Sequence, residues 1–138
     1  MKINLLGDFH RDSGIEEILI MIYRKGFTKY FQDLNYGEDL NGVAIICICQ
    51  NPELNLKQRI RYSKKEKFLY MDLMFDLPFM IESNVYNRQK NIESKIVEEV
   101  PKVISKYKFK NFDADTFKKD MIEWFQKNGV DESENSKT

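Results

Sequence analysis

One stretch of the chain places acid, base and nucleophile types together: Asp8-Phe9-His10-Arg11-Asp12-Ser13, which holds the single histidine. Triad chemistry needs such groups to converge in space, and immediate neighbours along a chain rarely do. Asp72 and Asp76 stand four residues apart in an alternating segment. On a strand they would share a face about 13 Å apart, too far for a common metal or for glycosidase chemistry. Cross-strand pairing with Arg59 and Arg61 is the expected use of both. Cys47 and Cys49 lie two apart in an apolar run. Alternation puts both thiols on one strand face, where a bridge would be strained, and two thiols with one distant histidine make no metal set. Buried free thiols are expected. The glycines are scattered, so no loop is built to cradle a phosphate. We assign no catalytic residue, no metal ligand and no cofactor.

Binding is the remaining class. The chain carries 22 basic and 22 acidic residues, but unevenly: residues 49–110 hold thirteen basic against eight acidic, while both flanks are net acidic. Between Lys57 and Lys67, six basic side chains (Lys57, Arg59, Arg61, Lys64, Lys65, Lys67) oppose only Glu66. With Tyr62, Phe68 and Tyr70 nearby, that hairpin could stack and hold a nucleic acid. Zero net charge, acidic ends and the lack of any helix-turn-helix, RNP-like or zinc-finger pattern argue against it. A nucleic-acid-binding or regulatory domain using hairpin 57–67 is therefore the alternative. A protein-binding module is the leading reading. Its candidate contacts are Tyr36, Glu38 and Asp39 in a polar loop, and Arg59, Arg61, Tyr70 and Asp72 on a sheet face, with Asp76 further along the same strand. Tyr and Arg are the types that most often anchor interfaces.

These residues need a scaffold. At 138 residues and 42% apolar content, one domain over residues 1–128 is expected, with a polar, mobile tail over 129–138. Lys2–Leu6 reads as a strand ended by Gly7. After Asp12-Ser13-Gly14, either Asp12 or Ser13 serving as cap, Ile15, Ile18, Leu19, Ile22, Gly26 and Tyr30 recur at helical spacing as one helix, widened by Tyr23, Phe27, Phe31 and Leu34. Val43–Cys49 reads as a central strand covered on both faces. Leu56–Tyr62 and Lys67–Asp76 alternate around a short polar turn and read as an antiparallel hairpin. From Ser83 the period is helical to Tyr107, with Pro101 forcing a kink or a restart. Asp113 then caps a last helix bearing Phe117, Met121, Trp124 and Phe125, stopped by Asn128-Gly129. The order β-α-β-β-β-α-α gives the expected class: α+β, an antiparallel sheet of about four strands with helices packed on one face. No signal peptide or membrane span is readable, so a cytoplasmic protein with no membrane partner is expected.

The opening Met1-Lys2-Ile3-Asn4-Leu5-Leu6-Gly7-Asp8-Phe9 resembles that of a family of small bacterial immunity proteins. So do Asn51-Pro52-Glu53, the hairpin Arg59-Ile60-Arg61-Tyr62-Ser63-Lys64-Lys65-Glu66-Lys67, and Leu69-Tyr70-Met71-Asp72-Leu73. Together they resemble the immunity protein 44 family over residues 1 to about 125. The resemblance implies a non-enzymatic protein encoded beside a polymorphic or contact-dependent growth-inhibition toxin. Its partner would be the cognate toxin domain, bound stoichiometrically. Nuclease-type toxins have basic clefts, against which carboxylates act as phosphate mimics, here Glu38, Asp39, Asp72 and Asp76. Oligomeric state is left open.

Overall fold

The computed structural model describes residues 1–8, 14–37, 39–107, 109 and 111–130. Its elements are β1 (Lys2–Asp8), α1 (Ile15–Arg24), α2 (Phe27–Gln32), β2 (Gly42–Gln50), a 3-10 turn at Pro52–Leu54, β3 (Ile60–Ser63), β4 (Phe68–Asp76), α3 (Leu77–Glu82), α4 (Val85–Lys106) and α5 (Ala114–Asn128). The four strands form one sheet in the order β1-β2-β4-β3.

An α+β chain with a four-stranded sheet is what the sequence implied, but the pairing differs from expectation. β1 pairs with β2 and β2 with β4 in parallel; only β3 and β4 are antiparallel. The α1–α2 crossover returns the chain to the end where β1 began, which makes β2 parallel to β1. The hairpin then inserts its second strand, not its first, beside β2. Residue character explains that choice. On β4, Leu69, Met71, Leu73 and Phe75 are all fully or nearly fully buried, whereas β3 is four residues long and keeps Arg61 exposed. A short, charged strand is suited to an edge and an apolar nine-residue strand to the centre.

Odd-numbered positions (Ile3, Val43, Ile45, Cys47, Leu69, Met71) join the helices in the hydrophobic core. Cys47 and Cys49 are both buried and neither is in a disulfide, as expected. Burial, with the neighbouring Cys49 adding to it, pushes the Cys47 thiol up to about 12.

The periodic segment from Ile15 is two helices, not one. Gly26 takes φ +86, a left-handed conformation that glycine adopts without strain, and this breaks α1 from α2. Tyr23 and Tyr30, expected on the buried stripe, are exposed in consequence. Gly14 stands at the cap position of α1; Asp12 and Ser13 lie outside the described residues. α4 runs through Pro101 without restarting, and Asn84 caps it by accepting from the Asn87 backbone N–H at 2.8 Å. Asp113 caps α5, accepting from the Thr116 backbone N–H at 3.0 Å. α3 went unread, although Asp76-Leu77-Pro78 carries its signal: an N-cap aspartate followed by proline in the first turn. Val130 is tied back to α4, its backbone N–H donating to Gln89 Oε1 at 2.8 Å. Residues 131–138 of the expected tail lie outside the described set.

Candidate protein-binding face

Strand alternation sends the even-numbered residues of the sheet to the side opposite the core. Parallel register aligns them in rows across the strands: Asn4, Ala44 and Tyr70; Leu6, Ile46 and Asp72; then Gln50 beside Asp76. The antiparallel edge adds Arg61 beside Tyr70. Leu6 is 51% exposed, and Ile46, Tyr70 and Met74 are half-buried, so this face stays partly open to water.

Four of the expected contact residues meet here. Asp72 is buried at 1% exposure, and its Oδ2 accepts from the Arg59 backbone N–H at 2.9 Å and from Arg59 Nε at 2.8 Å. The Arg61 guanidinium lies 4.4 Å from the centre of the Tyr70 ring, a cation–π contact that orients the charge along the face. The Tyr70 hydroxyl donates to Glu66 Oε2 at 2.7 Å. That bond to a carboxylate opposes loss of the phenol proton and raises the Tyr70 pKa; partial burial adds to the rise, and Arg61 pulls the other way. A shallow depression of about 260 Å³ opens among Ile46, Arg59, Arg61, Tyr70 and Asp72. A second, of about 320 Å³, is lined by Gln50, Asn51, Leu56, Met74 and Asp76.

The other expected residues stand apart. Tyr36 is buried at 3% exposure, in the hydrophobic core, with its hydroxyl donating to Asp120 Oδ2 at 2.9 Å. Asp39 accepts from Lys67 Nζ at 3.1 Å beside the hairpin turn. Glu38 lies outside the described residues, as does His10. Among the described residues Asp76 makes no ion pair across the hairpin; it caps α3, accepting from the Phe79 backbone N–H at 3.1 Å. Arg61 likewise stacks on Tyr70 and, among the described residues, makes no ion pair with a carboxylate. Asp72 and Asp39 are thus engaged within the chain, as are Arg59 and Lys67 of the basic run. Gln50, Leu56 and Ile46 were missed from sequence. For Gln50 and Ile46 the available signal was their position on the alternate face of a strand whose other face is core; Leu56 lies between the 3-10 turn and β3, where no such periodicity applies.

Among the described residues no group of three or more His, Cys, Asp or Glu is placed to hold a metal. No helix among them is long and apolar enough to cross a membrane.

Residues 1–127 match the family model of immunity protein 44. The chain belongs to the immunity protein 44 family. The matched span takes in every strand and reaches the penultimate residue of α5. No curated protein and no solved structure matched. An immunity protein 44 member implies a toxin as partner, and a partly open, mixed polar and apolar sheet face is a surface on which a protein can be held.

Proposed function

We propose that this immunity protein neutralises a cognate toxin domain, of nuclease type, by binding it stoichiometrically in the cytoplasm through the open sheet face. The single observation that carries the reading is the family match over residues 1–127. The face supports it in kind: Arg61 stacked on Tyr70 presents the arginine and aromatic types that most often anchor interfaces, and the exposed Leu6 adds apolar surface. The chain acts as an inhibitor and turns over no substrate.

The test is co-expression of this chain with the neighbouring toxin reading frame. Survival only when both are present, with a complex of fixed stoichiometry on co-purification, is the expected result. A harmless neighbour, or a toxin unaffected by this chain, overturns the reading. Degradation of cellular RNA or DNA by the toxin alone checks the nuclease assignment separately.

A further inference from the structure

The second depression on the open face is lined by Gln50, whose side chain carries a polar atom with no partner among the described residues. Gln50 Oε1 is buried and, among the described residues, accepts no hydrogen bond. A buried carbonyl oxygen left in that state has lost its water without gaining a donor, so a donor arriving there recovers a penalty already present in the free protein. Gln50 is the direct register partner of Asp76 at the C-terminal ends of β2 and β4, and both residues line this pocket. Asp76 is exposed and has no salt-bridge partner among the described residues, its Oδ1 being used to cap α3. Pro52, Leu56, Met74 and Phe75 give the remaining lining an apolar part, beside the polar Asn51 and Asn55. Leu56 is 52% exposed.

We propose that this pocket receives a lysine or arginine side chain of the toxin domain, its methylene stem against Leu56 and Met74 and its cationic head on Gln50 Oε1 and Asp76. The inference rests on the immunity reading and adds the chemistry of one anchor. A carboxylate would set acceptor against acceptor here. An aliphatic side chain would leave Gln50 Oε1 unsatisfied, and a neutral donor would leave the Asp76 charge without a counter-ion. Only a long basic side chain brings an apolar stem and charged donors together. Among the described residues Asp76 is then an expected carboxylate whose placement suits the basic surface of a nucleic-acid-cleaving toxin, whereas Asp72 and Asp39 are paired within the chain.

The experiment uses the full chain and the catalytically inactivated product of the neighbouring toxin reading frame. Binding is measured by calorimetry, and protection is scored with the active toxin. Gln50→Leu removes the acceptor and keeps the bulk; Asp76→Asn removes the charge and keeps a residue that can cap α3. Each is expected to weaken binding by roughly 10–100-fold without lowering the melting temperature. One basic residue of the toxin should also show a non-additive loss when its alanine variant is combined with Asp76→Asn. If the natural chain binds and protects but both variants bind equally well, the pocket is overturned and the immunity reading stands. If the natural chain neither binds nor protects, both fall.

Discussion

Asp72 and Arg59 are joined across the sheet edge by both side chain and backbone. Asp72 Oδ2 accepts two N–H groups of Arg59 at 2.9 and 2.8 Å, and the Asp72 backbone N–H donates to the Arg59 carbonyl at 2.9 Å. Gln58 Nε2 adds a bond to the Asp72 carbonyl at 2.7 Å. The contact continues the β3–β4 pairing beyond Ile60 and holds the incoming chain against β4. The carboxylate side chain is 2% exposed and the arginine 75%, so the acid is committed to the fold while the base sits at the surface.

Asp72→Ala should therefore cost about 2 kcal/mol, because it strands the Arg59 N–H and frees the edge segment. Arg59→Ala should cost less, about 1 kcal/mol, since the exposed guanidinium is screened and Oδ2 keeps its backbone donor. Urea denaturation of both variants and of the double variant measures the pair. Equal, near-zero effects would show that the contact does not hold the edge.

Tyr36→Phe removes one hydroxyl bond to Asp120 and keeps the ring against Phe117 at 5.5 Å. A loss of about 1 kcal/mol in stability with toxin affinity unchanged is expected. A large drop in affinity at unchanged stability would return Tyr36 to the interface.

Phe27 is fully buried and packs edge-on to Trp124 at 5.0 Å and against Phe31 at 4.8 Å. Phe27→Ala should cost about 3–5 kcal/mol, a large share of a typical domain's stability. Trp124 is the single tryptophan, so its emission reports the melt directly. A melting temperature close to that of the natural chain would contradict this packing.

The buried Cys47 thiol, raised from 9.0 to about 12, keeps its proton in the folded chain over a range where the unfolded chain has lost it. Folding is linked to that proton. Below about pH 9 both states are protonated and there is no effect; above it the unfolded state binds fewer protons, so stability falls as pH rises toward 12. Cys47→Ser should flatten part of that alkaline loss. Native protein at pH 8 should leave Cys47 unlabelled by a thiol reagent until denatured, and rapid native labelling of Cys47 would refute its burial.

Short-range physics made much of this protein legible from its residues. Two-residue alternation located the β3–β4 hairpin, the three-four period located α4 and α5, and the Asp113 cap marked where α5 begins, because each signal acts within a turn or two of chain. The clustering of Arg59, Arg61, Tyr70 and Asp72 was readable for the same reason: all four lie on one hairpin, so their proximity is local. Strand order and direction were not. Whether β3 or β4 sits beside β2 depends on which strand buries more apolar surface against helices dozens of residues away, and that competition decided for a mostly parallel sheet. Long-range packing also took Tyr36 into the core. It set Gln50 beside Asp76 by pairing the ends of β2 and β4, 26 positions apart in sequence, and only that pairing created the acceptor pocket on the open face.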